Sequence, residues 1–101
     1  MRVTCLLRYE LRPERLADFE RYGRQWITLV GRYGGEHHGY FLPSEGASDV
    51  AYALFTFPSL AAYETYREQS ALDPLCQTLF RDLPNLVTRY DRTFLRPVLD
   101  G

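Results

Sequence analysis

Gly34-Gly35-Glu36-His37-His38-Gly39-Tyr40-Phe41-Leu42-Pro43, followed by Ser44-Glu45-Gly46-Ala47-Ser48-Asp49, carries the chain from a helix stop through a strand into a turn. The glycine pair supplies the left-handed backbone that ends a helix. The next residues alternate as a strand does, and Pro43 with the small polar run closes that strand before a second begins. A helix, a reversal and a hairpin in this order set the rest of the reading.

Upstream, Val3, Cys5, Leu7, Tyr9 and Leu11 alternate with Thr4, Leu6, Arg8 and Glu10. This is a first strand with one strongly apolar and one mixed face. Pro13 suits the first turn of a helix, and Glu14 and Asp18 favour the positive end of its dipole. The helix is expected to run to about Tyr33, with Leu16, Phe19, Trp26, Ile27, Val30 and Tyr33 at helical spacing. Gly23 lies in that stripe and permits close approach of another element. The charged stretch from Glu14 to Arg24 reads as its solvated face.

Downstream, strand 2 is expected over about Glu36 to Leu42 and strand 3 over about Val50 to Phe57. The apolar and aromatic content of strand 3 places it centrally in a sheet. Ser59 is the expected N-cap of a second helix through about Gln69, carrying Leu60, Tyr63 and either Tyr66 or Arg67 on one side. Asp73-Pro74 starts a further helix with Leu75, Leu79 and Leu83 on one face, and Pro84 is expected to end it. Alternation returns from Leu86 to about Leu95 as a last strand, which Pro97 limits or places at an edge.

The element order is β-α-β-β-α-α-β, the split βαβ pattern with its second helical region broken in two. It predicts an α+β fold, one four-stranded antiparallel sheet with helices on one face. The other face would carry Leu6 with Tyr52, Leu54, Tyr90 and Phe94. Monomers rarely expose so much apolar surface, so a second copy is expected to cover it.

A chain of 101 residues makes a single domain spanning 1–101, with about 65% of its unfolded surface available for burial. Twelve basic and 13 acidic residues leave a net charge of -1, which gives no long-range field toward nucleic acid or an anionic membrane. All 12 cations are arginine, through codon bias or selection for planar anion contacts. Without lysine there is no side-chain amine for a Schiff base, which excludes aldolase-type and lysine-anchored pyridoxal chemistry. Cys5 and Cys76 form no C-x-x-C and read as buried apolar residues in a reducing cytoplasm. No signal segment or membrane-length apolar run is visible, so the expected location is cytoplasmic.

Resemblance to a known family rests on Leu7-Arg8-Tyr9, on Phe19-Glu20 with Trp26, and on the Gly34–Gly46 stretch with His37-His38-Gly39-Tyr40 at its centre. Phe57-Pro58-Ser59-Leu60-Ala61-Ala62-Tyr63-Glu64 and Phe94-Leu95-Arg96-Pro97 extend it over nearly the whole chain. The chain resembles the NIPSNAP family, a branch of the ferredoxin-like dimeric α/β-barrel superfamily. That resemblance implies a homodimer, its two sheets face to face, with a cavity between sheet and helices in each subunit. It implies no particular reaction, and the complete catalytic signatures of the superfamily's monooxygenases, isomerases and haem proteins are missing here.

Candidate chemistry is limited. Adjacent strand residues point to opposite faces, so His37 and His38 cannot share a metal, and Glu36 with His38 lacks a third ligand. No metal, haem or other cofactor is expected. There is no G-x-S-x-G elbow, the four serines sit at turns or helix starts, and Asn85 is the only asparagine, which argues against nucleophilic hydrolysis. Gly34-Gly35 ends a helix where a phosphate loop would have to begin one.

What remains is an aromatic and basic set, with eight tyrosines, six phenylalanines and Trp26, and Arg8, Arg89 or Arg92 on strands. His38 shares a strand face with Glu36, Tyr40 and Leu42, whereas His37 keeps company with Gly39 and Phe41. The expected site is therefore His38 as general acid or base, with Arg8, Trp26, Tyr40, Tyr52 and Tyr90 binding the substrate. Such a pocket suits a small aromatic or lipophilic molecule bearing a carboxylate, carbonyl or phenol, with isomerase-like or monooxygenase-like chemistry. The rival reading is a non-catalytic interaction or scaffold domain with a side-chain-filled interior.

Overall fold

A computed structural model describes residues 1–98. The strands are β1 (Val3–Leu11), β2 (Glu36–Phe41), β3 (Val50–Phe57) and β4 (Val87–Leu95), and they form one sheet in the order β2-β3-β1-β4. Every neighbouring pair is antiparallel. Three α-helices, α1 (Leu16–Arg32), α2 (Leu60–Leu72) and α3 (Pro74–Leu86), follow the expected order, with a 3₁₀ turn at Pro13–Arg15 leading into α1. The helices cover one sheet face, which is the predicted α+β split βαβ arrangement.

The two central strands set the layers. Cys5, Leu7, Tyr9 and Leu11 of β1 and Ala51, Ala53, Phe55 and Phe57 of β3 are buried on the helix side. Fully burying a large apolar side chain is worth about 1.5–3 kcal/mol, and Phe19, Phe57, Leu29 and Leu86 are almost wholly enclosed. The α1 stripe is Phe19, Tyr22, Trp26, Leu29 and Val30; Ile27 is about 100° off it and lies partly exposed. Gly23 faces the ring of Tyr40, where a Cβ would come within 2.9 Å, so the missing side chain is what lets β2 approach α1.

Helix signals read from the sequence hold at the starts and fail at one end. Ser59 Oγ accepts from the Ala62 N–H at 3.0 Å and Asp73 Oδ1 accepts from the Leu75 N–H at 2.9 Å, so both caps form. Gly34 takes φ 92° just after α1. Pro84, however, lies inside α3, which continues to Leu86. In the last turn proline forfeits only one helical bond, and burial of Leu86 outweighs it while the Leu86 carbonyl accepts from the Arg12 N–H at 2.9 Å. The buried stripe of α3 is Cys76, Leu79, Leu83 and Leu86, with Leu75 exposed instead of sharing their face.

β4 is an edge strand, and its parity corrects the expected open face. Tyr90, Arg92 and Phe94 pair opposite Tyr9, Leu7 and Cys5, which puts them on the helix side. Phe94 meets Tyr63 of α2 edge-on at 5.0 Å, and Tyr90 lies 5.9 Å from Tyr9. The open face instead carries Leu6, Phe41, Tyr52, Leu54 and Leu95.

Candidate functional site

A bulge in β2 decides which histidine enters the interior. His37 pairs with Phe55, Tyr40 with Ala53, and the two residues between them occupy the space of one opposite Leu54. Gly39 takes φ 115°, a conformation L side chains rarely adopt, and makes the irregularity possible. One extra residue reverses the alternation beyond it. His37 and Tyr40 therefore share the helix-side face, with rings stacked at 5.2 Å. His38 is on the opposite face, where its Nε2 bonds Thr56 Oγ1 at 2.8 Å and Thr56 in turn bonds Thr4 Oγ1 at 2.8 Å.

The cavity lies between the sheet and all three helices, walled by Tyr9, Tyr22, Trp26, Tyr40, Tyr66 and Tyr90 with His37, Arg67 and Arg92 among them. Its free volume is about 30 Å³, room for a water or two. Among the described residues, three buried side-chain nitrogens have no hydrogen-bond partner: Trp26 Nε1, His37 Nε2 and Arg92 Nε. All three belong to residues lining this one cavity. An unsatisfied buried polar group costs about 1–3 kcal/mol, and an ordered water or a ligand bonded to these groups would recover part of that cost.

The protonation states follow from the surroundings. Burial, with some help from neighbouring His38, lowers the His37 pKa from 6.5 to about 4. Its Nδ1 accepts from the Gly39 N–H at 2.9 Å, so the neutral ring carries its proton on Nε2. Burial raises Tyr9 and Tyr40 well above the usual phenol value and raises Tyr22 and Tyr66 as well. The Trp26 indole offsets part of the rise at Tyr22, although the pair falls short of hydrogen-bond geometry. Near neutral pH the cavity thus offers neutral donors and guanidinium groups, and no ready base.

Phe80 and Tyr90 stand at the rim and line both the cavity and two shallower hollows outside it, of about 600 and 560 Å³. These two side chains are 36% and 43% exposed. Arg67, Arg81 and Arg92 line the larger hollow, and Arg12 and Arg89 the smaller. No carboxylate lines either hollow or the cavity among the described residues. Arg89 is paired with Glu10 and Asp91, so the positive charge without a carboxylate partner among the described residues at this entrance is that of Arg12, Arg67, Arg81 and Arg92.

Of the residues expected at the site, Trp26, Tyr40 and Tyr90 line the cavity. His38, Arg8 and Tyr52 do not. Arg8 and Tyr52 pair across the open face, and Arg8 Nη1 bonds Glu10 Oε2 at 3.2 Å. The expectation that His38 shares a face with Tyr40 assumed unbroken alternation, and Gly39 breaks it. Sequence reading overlooked Tyr9, Tyr22, Tyr66 and Phe80, and passed over His37. Arg92 was within reach, since it stands two residues from Tyr90 on the same strand face.

No group of three potential metal ligands comes together among the described residues. Burial also raises the Cys5 and Cys76 thiols, each to about 11, so neither is a ready thiolate. None of the described helices is long and apolar enough to cross a membrane.

Fold and cavity together define a ferredoxin-like α+β domain with an aromatic interior pocket. The NIPSNAP family model matches residues 4–100, and the chain belongs to that family. It is similar in fold to a NIPSNAP family protein from Agrobacterium tumefaciens, with 19% identity, a TM-score of 0.82, and coverage of 97% of this chain and 94% of the other. An uncharacterised NIPSNAP-like domain protein from Burkholderia xenovorans is 22% identical with a TM-score of 0.81, covering 96% and 85%. A protein described as a putative antibiotic biosynthesis monooxygenase from Bacteroides thetaiotaomicron is 18% identical with a TM-score of 0.72, covering 99% and 92%. Among curated proteins none matches significantly.

Proposed function

We propose that this protein binds one small aromatic or lipophilic organic molecule in the cavity between sheet and helices, acting as a cytoplasmic homodimer. The observation that carries the binding role is that Trp26, His37 and Arg92, each with a buried side-chain nitrogen that lacks a partner, all line one aromatic-walled space. Rings on the wall hold the ligand's body, and the donors fix its oxygen atoms. The free volume of about 30 Å³ is smaller than an aromatic ring, so entry requires the Phe80 ring, 4.9 Å from Trp26 and 36% exposed, to turn outward. Where chemistry follows binding, isomerase-like or monooxygenase-like conversion fits a site without cofactor ligands, and the monooxygenase-like neighbour supports that class. His37, Trp26 and Arg92 would then steady charge on oxygen, while His38, on the opposite sheet face, takes no direct part.

The dimer reading rests on the open face. Leu6, Phe41, Tyr52, Leu54 and Leu95 form its apolar part, and the mixed charges of Arg8, Glu10, Arg89 and Asp91 lie at its end. A second copy presents the same pattern and suits both.

The binding role is tested by thermal shift with a panel of aromatic acids, phenols and quinones on wild type and Trp26→Phe. That variant keeps the ring and removes the N–H. A ligand that raises the wild-type melting temperature and does so less for Trp26→Phe supports the cavity; equal shifts overturn it. The rival reading, a scaffold domain, draws on the small free volume of about 30 Å³ and predicts no stabilisation by any probe.

A further inference from the structure

The charges around the cavity are one-sided in a way that simple aromatic binding does not require. Arg92 is half-buried with its Nε unpartnered, and among the described residues it makes no ion pair. Arg67 also makes none, but it is exposed, and its Nη1 donates to the Tyr63 hydroxyl at 3.0 Å, so the uncompensated burial falls on Arg92. Arg8, Arg15, Arg21, Arg24 and Arg89 find carboxylates on the surface, and the remaining arginines have none among the described residues, so what sets Arg92 apart is its partial burial with an unpartnered Nε. Withdrawing a guanidinium from water without a counter-charge is costly, and the cost is recovered when an anion arrives. Trp26 and His37, each with a buried N–H that has no partner, line the same cavity, and among the described residues no acidic side chain lines it.

Resting on the binding role proposed above, we infer that the pocket holds its ligand as an anion, an aromatic body bearing an acidic oxygen, and favours the ionised form of a weak phenol or enol over the neutral one. In the ionisation the ligand's O–H bond breaks, the electron pair stays on oxygen facing Arg92, and the proton passes to solvent water and buffer. No side-chain base is needed. This suits a cavity whose imidazole has its accepting nitrogen occupied by the Gly39 N–H. The preference comes from the guanidinium charge and from donors already fixed in place before the ligand arrives, so little reorganisation opposes it. The ligand class is thus phenols, enols and aromatic carboxylic acids that enter through the arginine-lined hollow, with the ring passing Phe80 and Tyr90.

The experiment titrates 4-nitrophenol, whose anion is yellow and whose acid is nearly colourless, with and without saturating protein. Binding of 4-nitrobenzoate and of the neutral 4-nitroanisole is measured beside it by calorimetry. Bound 4-nitrophenol is expected to become at least tenfold more acidic, and 4-nitroanisole to bind at least tenfold more weakly than 4-nitrophenolate or 4-nitrobenzoate. Arg92→Met should abolish the acidity change yet still bind 4-nitroanisole, while Arg92→Lys should keep part of it. Unchanged or weakened acidity of bound 4-nitrophenol, or equal binding of 4-nitroanisole, overturns the inference and leaves the binding role standing. Failure of all three probes to bind overturns both. The wild-type titration decides the matter even if Arg92→Met does not fold.

Discussion

Replacing Gly39 by alanine isolates the feature that turns His37 inward. The residue sits at φ 115°, and a Cβ built there meets nothing within 4 Å, so no packing clash contributes. What an alanine meets is backbone strain, about 1–3 kcal/mol for a conformation that is nearly glycine-only. The alanine recovers about 0.4–1 kcal/mol by narrowing the unfolded ensemble, which leaves a net loss of at most about 2.6 kcal/mol, centred near about 1.3 kcal/mol. At about 4–8 °C per kcal/mol for a domain near this size, the melting temperature should fall by about 5–15 °C. Urea denaturation at fixed protein concentration measures the free energy, and the thermal shift given by an aromatic acid reports the pocket. If the strand relieves the strain by losing its bulge, Tyr40 leaves its seat on Gly23 and the ligand response disappears. Gly46→Ala is the control, because φ there is also positive, at 93°, but the turn is exposed and remote from the cavity lining. A Gly39→Ala protein within about 0.3 kcal/mol of wild type that still binds would refute the reasoning.

Stability should depend on pH through His37. Its folded pKa, about 4, lies below the unfolded 6.5, so protonation favours the unfolded chain. The contribution is full above pH 6.5 and is lost as pH falls toward 4, by at most about 3 kcal/mol and by about 2 after screening of a ring that is only partly buried. Urea titrations at pH 7 and 4.5 should show this difference in unfolding free energy in wild type and a smaller one in His37→Gln; an equal loss in both proteins would contradict it. Light scattering should give about twice the chain mass at micromolar concentration, and Leu54→Arg on the open face should reduce it toward one chain. A wild-type monomer would remove the face-to-face assembly. Elemental analysis of protein purified without chelator should find no stoichiometric transition metal, and near one per chain would overturn the reading of His37 and His38.

The fold was legible because its signals are local and agree with one another. Alternation in β1 and β3, the Ser59 and Asp73 caps and the Gly34 stop each appear where tertiary packing also wants them. Pro84 was misleading because its local preference was outweighed by burial of Leu86. The site was harder to read because side-chain parity along one strand says nothing about its register with the next. Tyr90 and Phe94 were placed on the open face for that reason, and pairing with Tyr9 and Cys5 puts them on the other. In β2 a single inserted position exchanged the two histidines. The available sign was Gly39 itself, since an isolated glycine inside a strand pattern often marks a bulge.

The central claim is that His37, not His38, is the imidazole of the pocket, held neutral with its proton on Nε2. Nitrogen-15 NMR of the two imidazoles, assigned by His37→Gln and His38→Gln and followed from pH 4 to 8 with and without 4-nitrobenzoate, tests it directly. The account predicts an Nε2–H tautomer for His37 that stays neutral down to about pH 5, and an Nε2 resonance that moves when the ligand binds while that of His38 holds still. A ligand-induced shift confined to His38, or a His37 that protonates near pH 6.5, would contradict it.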